Sequence, residues 1–163
     1  MKISTGYSTR QIALHWIVFV LVAFQFVMGD KMSHLFRAAH GGKPTDVSPV
    51  WIWIHIGVGL AIAAGMLWRL AILRSEGAPT PVPQHPALEF AAKAVHVLLY
   101  VDLIGAAIVG LLTFYWLPGL GELHEAMSRQ ILLVLVGLHV LGALYHRFVV
   151  RDEVMTRMVR PAR

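Results

Sequence analysis

Four histidines, His15, His55, His124 and His139, lie within or at the edge of apolar stretches long enough to cross a bilayer. An ionisable side chain in a hydrocarbon interior is costly, so each asks for a chemical reason. Neutral imidazole is a common metal ligand, and two imidazoles from facing helices can occupy both axial positions of a haem iron. Ligation of that kind leaves no open coordination position. It suits electron transfer rather than oxygen binding.

The elements that must carry these residues are set by composition. The chain is 57% hydrophobic and 14% charged, against roughly 25% charged in soluble domains. Its charges are segregated between the apolar runs, as in an integral membrane protein. There is no cysteine, which excludes disulfides, thiolate-bound clusters, Cys-type zinc sites and covalent c-type haem attachment. The first run contains His15 and lacks a small-x-small exit, so it reads as a retained helix rather than a cleaved signal. The pattern predicts one all-α membrane domain over residues 1–163. Its spans fall at about 10–29, 49–74, 87–117 and 124–150, joined up-down-up-down through loops at 30–48, 75–86 and 118–121.

Charge bias gives the orientation. Lys2, Arg10, Arg69, Arg74, Lys93, Arg147, Arg151, Arg157, Arg160 and Arg163 lie toward one side, and Lys31, Arg37, Lys43 and Arg129 toward the other. The positive-inside rule then puts both termini in the cytoplasm of a bacterial inner membrane. Trp51, Trp53 and Trp116 fall near the outer interface, and Tyr7, Trp16 and Trp68 near the inner one.

Helix direction now assigns depth. His15 falls near the inner end of the first helix and His55 near the outer start of the second. His124 opens the fourth helix, with His139 about 22 Å deeper at 1.5 Å per residue. The depth-matched pairs are His55 with His124 (outer) and His15 with His139 (inner). Fifteen residues at 100° make four turns plus about 60°, so one helix can present both its histidines to the bundle axis. A single His in an apolar helix is ordinarily a polar residue bonded to a neighbouring helix. Four at two matched depths point instead to two bis-histidine b haems stacked across the membrane.

The motifs Tyr7-Ser8-x-x-Gln11-x-x-Leu14-His15-Trp16, Trp53-Ile54-His55, Trp68-Arg69-Leu70, His96-x-x-x-Tyr100, Leu138-His139 and Tyr145-His146-Arg147-Phe148 span nearly the whole chain. In them the sequence resembles the bacterial cytochrome b561 family of dihaem membrane cytochromes. The resemblance implies a four-helix bundle, two b haems and the same ligands, His15 and His139 for the inner iron and His55 and His124 for the outer. It also implies that electrons pass from superoxide to ubiquinone, as in short four-helix members acting as superoxide oxidases. The alternative is an electron-conduit subunit for a dehydrogenase, a hydrogenase or a periplasmic redox partner. The bland alternative is a haem-free four-helix membrane protein. One departure stands out: the family's step between the two helix-four ligands is usually fourteen residues, and here it is fifteen. A wide turn between Glu125 and Leu138, or a loosely wound start at His124, would absorb the extra residue.

Other residues fall around these sites. Arg69 suits an ion pair with a propionate of the inner haem, with snorkelling as its ordinary role; Arg10 and Arg147 are further candidates. His146, two turns beyond His139, is a candidate to bond a quinone carbonyl and relay a proton, or else a simple interfacial His. His96 reads as a neighbour of the inner ligands or of the quinone site. Asp102, near mid-membrane, reads as bonded to a neighbouring helix or as part of a proton path. Lys31, His34, Arg37, His40 and Lys43 make the outer loop basic, either as a solvated loop or as an attractor for a small anion, whose reaction would then slow with added salt. His34, His40 and His85 sit in loops with no ligand role. Gly57, Gly59, Gly105, Gly110, Gly137 and Gly142 offer room for haem faces or close helix contact.

Overall fold

The computed structural model describes residues 6–41, 46–80, 82 and 85–161, with the backbone alone at 39–41. Among them there is no strand, and four helices are long and apolar enough to span a membrane. Helix α1 is Thr9–Gly41, α2 is Val50–Glu76, α3 is Pro86–Tyr115, and α4 is the run Pro118–Val150. A short helix α5, Val154–Arg157, follows. The expected four-helix membrane architecture is the observed one. Apolar side chains such as Val27 (70% exposed) and Phe90 (74%) point outward, which only a hydrocarbon surrounding tolerates on this scale.

Local chemistry sets the helix ends. Ser8 and Gln11 form a reciprocal cap: Ser8 N–H donates to Gln11 Oε1 at 2.9 Å, and Gln11 N–H to Ser8 Oγ at 3.3 Å. The same Gln11 donates through Nε2 to the Gly77 carbonyl at 3.1 Å, tying the start of α1 to the end of α2. Gly77 takes φ +83°, a backbone region open to glycine, as α2 stops. His85 Nδ1 accepts from Ala87 N–H at 3.3 Å, and Pro86 begins α3. The core is small and apolar: Val18 and Val22 from α1, Ile62 and Met66 from α2, and Leu132 from α4.

Three boundaries differ from expectation. α1 continues through what looked like a loop from residue 30, reaching Gly41, because its polar residues find partners across the outer end. Asp30 pairs with Arg129 at 2.8 Å, Ser33 donates to Glu125 at 3.5 Å, and Leu35 is buried. Phe36 packs against Gly121, where a Cβ would lie 2.8 Å from its ring. His34 is therefore helical rather than in a loop, as is the backbone of His40, whose side chain lies outside the described residues. α3 stops at Tyr115, and α4 begins earlier than expected, at Pro118, through a single tight turn. Lys2, Lys43 and Arg163, used in the orientation argument, lie outside the described residues.

α4 is not uniform. Between His124 and His139 the backbone opens into wide, i to i+5 turns at Ala126–Ile131, and it does so again beyond them at His146–Val150. The first lies where the fifteen-residue step asked for it. Ser128 Oγ donates to the His124 carbonyl at 2.6 Å, and the Gln130 amide, oriented to satisfy its neighbours, donates to the Glu125 and Ala126 carbonyls at 3.1 Å. Polar side chains thus cover carbonyls that a widened turn leaves short of N–H partners.

Candidate functional site

Two pairs of imidazoles meet across the bundle. The His55 and His124 rings lie 5.9 Å apart between centroids at 90°, and the His15 and His139 rings 6.0 Å apart at 55°. With metal–imidazole bonds of about 2 Å and a nitrogen roughly 1.2 Å from its ring centroid, two rings on opposite sides of one metal have centroids about 6.4 Å apart. Both pairs lie within about 0.5 Å of that span. A haem suits this donor set better than a zinc ion does, since no three His, Cys, Asp or Glu side chains among the described residues are placed to hold one metal ion.

The outer pair is held from behind. His124 Nδ1 donates to the Ala106 carbonyl of α3 at 3.0 Å, which leaves Nε2 as the free nitrogen, the usual arrangement of a metal-binding imidazole. Gly110 makes the approach possible: a Cβ there would stand 2.8 Å from His124 Cε1. Gly110→Ala is expected to displace this ring and shift or abolish the optical signal of the outer site alone. An unchanged spectrum would remove Gly110 from the site. On the other side, Gln25 Nε2 donates to the His55 carbonyl at 2.8 Å, and His55 Nδ1 is buried without a partner among the described residues. Of the other glycines, Gly105 faces Met127 and Gly59 faces Gln25, while a Cβ at Gly57, Gly137 or Gly142 would meet nothing within 4 Å.

The inner level holds three imidazoles. His96 packs on His139 at 5.0 Å and 89°, closer than His15 does. That is ring-contact distance, short for two ligands across one metal, and His96 Nδ1 is tied to its own helix through the Ala92 carbonyl at 2.6 Å. Arg69 Nη1 donates to the Gln11 carbonyl at 3.1 Å, one turn before His15, which sets its guanidinium beside the inner pair. Arg10 lies 3.8 Å from Glu76, so part of its charge is already matched. Asp102 is buried at 5% exposure, and its Oδ2 has no hydrogen-bond partner among the described residues; the expected bond to a neighbouring helix is not observed.

Beyond His146 the chain turns back beneath the bundle. His146 Nδ1 and Asp152 Oδ2 are 2.5 Å apart, Trp16 Nε1 donates to the Met158 carbonyl at 2.9 Å, and Arg157 Nη1 to the Thr80 carbonyl at 2.8 Å. Sequence reasoning missed Asp152, because only the reversal at Arg151 brings it to His146. Tyr7 is part of the same inner end. Burial raises its hydroxyl above the ordinary value against the opposing charges of Arg69 and Arg157, so it stays a protonated donor at neutral pH.

The outer end is less basic than the loop composition suggested. Lys31, Arg37, Lys43 and Arg129 are matched in number by Asp30, Asp46, Glu122 and Glu125. Arg129 is paired with Asp30, and Lys31 sits 4.1 Å over the Trp51 ring. Net charge therefore supplies no long-range pull on an anion here.

Comparisons with known proteins agree in one direction. The family model described as prokaryotic cytochrome b561 matches residues 6–161. The chain is 27% identical to "Cytochrome b562" of Cereibacter sphaeroides, covering 96% of each chain. It is 27% identical to "Probable superoxide oxidase CybB" of Yersinia pestis, covering 94% of this chain and 95% of that one. It is 24% identical to "Cytochrome b561 homolog 1" of Escherichia coli K12, covering 94% and 96%. No solved structure matches. Four apolar spans, two facing imidazole pairs and a family match over nearly the full length converge, and the chain belongs to the prokaryotic cytochrome b561 family of membrane electron-transfer proteins.

Proposed function

We propose that this chain is a single-domain dihaem cytochrome b that takes electrons from superoxide at its outer end and delivers them to ubiquinone at its inner end. The observation that carries the dihaem reading is the pair of 5.9 and 6.0 Å imidazole separations, with one member of each pair on α4. His55 and His124 would hold the outer iron, and His15 and His139 the inner one, and Arg69 would offer its charge to a propionate of the inner haem. The bound haems supply one-electron carriers. The protein orients their ligands, keeps water from the interior and handles protons at the quinone. In balance, two superoxide ions, one ubiquinone and two protons give two molecules of oxygen and one ubiquinol. Charge bias favours a bacterial inner-membrane placement with both termini cytoplasmic, so that His146 stands at the proton-supplying side.

The superoxide assignment is supported by similarity to the Yersinia pestis relative. A second reading, an electron conduit for a dehydrogenase or a periplasmic redox partner, is favoured by the balanced charge of the outer end and the equal identity to a protein named only as a cytochrome. One preparation separates them. The purified protein is expected to show a b-type spectrum with two haems per chain and to reduce a short-chain ubiquinone when superoxide is generated. His146→Ala is expected to slow that reduction about a hundredfold, at the low end of general acid–base contributions, with the spectrum intact. A colourless protein removes the haem reading. A dihaem protein inert to superoxide leaves the conduit reading in its place.

A further inference from the structure

The last turn of α4 ends in a sharp reversal. Arg151 adopts φ 60°, a left-handed conformation that a non-glycine residue enters only with support from its surroundings. The turn carries Asp152 back under the helix end. Asp152 N–H donates to the His146 carbonyl at 3.2 Å, its Oδ1 accepts from Val154 N–H at 2.9 Å, and its Oδ2 meets His146 Nδ1 at 2.5 Å. The two side chains are 14% and 12% exposed. Backbone contacts on both sides thus fix the carboxyl group, and the carboxyl group in turn fixes the ring.

The protonation state follows from the same contacts. Burial pushes the Asp152 carboxyl up, but the Val154 N–H, the contact with His146 and the Arg157 charge outweigh it. The group lies below the ordinary carboxylate range. An ionised carboxylate only accepts hydrogen bonds, so His146 Nδ1 carries the hydrogen between them. Nε2 is then the nitrogen left to act. Arg157, whose charge bears on both Asp152 and Tyr7, is itself anchored to Thr80, and its buried Nε has no partner among the described residues.

We propose that Asp152 is a positioning residue for quinone reduction, holding the His146 ring by Nδ1–H so that Nε2 serves the acceptor oxygen of the quinone. The inference rests on the quinone role of His146. For each quinone reduced, two electrons arrive from the redox centres and two protons turn the two carbonyl oxygens into hydroxyls. His146 takes a proton from water at Nε2, passes it to the oxygen it faces and returns to its neutral Nδ1–H form, while the second oxygen takes its proton from water directly. The carboxylate stays ionised throughout and keeps the ring from turning.

The test uses the full-length protein in detergent or liposomes. Asp152→Asn is expected to lower kcat for short-chain ubiquinone about tenfold with KM within about twofold and both haem signals unchanged, and Asp152→Glu to recover most of the loss. Nitrogen NMR of labelled histidine in the unmodified protein is expected to show His146 protonated at Nδ1 when neutral. An Asp152→Asn protein with normal kcat, beside a slow His146→Ala, reduces Asp152 to a cap on α5 and overturns the proposal. A normal His146→Ala overturns the quinone role beneath it. Finding neutral His146 protonated at Nε2 overturns the proposal without any variant, even if Asp152→Asn does not fold.

Discussion

Under the proposed dihaem assignment, replacing His139 with alanine is expected to lower haem content from two per chain to one, with loss of the inner site and survival of the outer. His15→Ala should do the same, and His55→Ala or His124→Ala should remove the outer site instead. The expectation follows from ring separations near the span of two imidazoles across one iron, at two places that share no residue. His96→Ala provides the sharpest contrast. Its ring is nearer to His139 than that of His15, yet at 5.0 Å it is at ring-packing distance, so both haems should remain. Haem extracted per chain, with low-temperature optical and paramagnetic resonance spectra for each site, decides the matter. Haem lost from His96→Ala but retained in His15→Ala would reassign the inner ligand.

The second large effect concerns the register of α4. One alanine inserted between Leu133 and Val134 turns His139 about 100° relative to His124, more than a side chain can take up while its partner stays fixed. One haem is expected to be lost and electron transfer between the two ends to fall at least tenfold, by loss of a carrier. Deleting Ser128 should be far milder. It removes the residue that the wide turn at Ala126–Ile131 absorbs and leaves a fourteen-residue step in a regular helix. The His124 carbonyl then regains a backbone partner in place of the Ser128 hydroxyl. Two haems in the insertion protein would show that the wide turn does not set the register.

Much of this was legible before any coordinates. Hydropathy alone places four spans, because lipid tolerates little else over about 20 residues. The histidine depths follow from counting along alternating helices, and the wide turn from a single surplus residue. The α1 extension was not legible. Asp30, Ser33 and Phe36 look like loop residues until Arg129, Glu125 and Gly121 are brought opposite, and those partners are about 90 residues away in sequence. Asp152 was hidden for a similar reason. The reversal at Arg151 uses a backbone conformation that arginine does not advertise. The basic outer surface was misjudged because cations were counted in one loop, while the carboxylates opposing them come partly from another element. The distinction between His15 and His96 was the hardest, since it turns on about 1 Å between ring centroids.

Placing His124 and His139 on one helix has a mechanical consequence. Their separation is set by covalent chain and backbone hydrogen bonds, not by how the four helices lean on one another. A thinner bilayer, a different detergent or a tilt of the bundle changes how deep each end sits and how readily a donor or a quinone reaches it. The gap between the two imidazoles on α4 changes far less. Tunnelling falls steeply with distance, so the internal hop should be nearly indifferent to the lipid host. Sensitivity to lipid, where it is found, should belong to entry and exit.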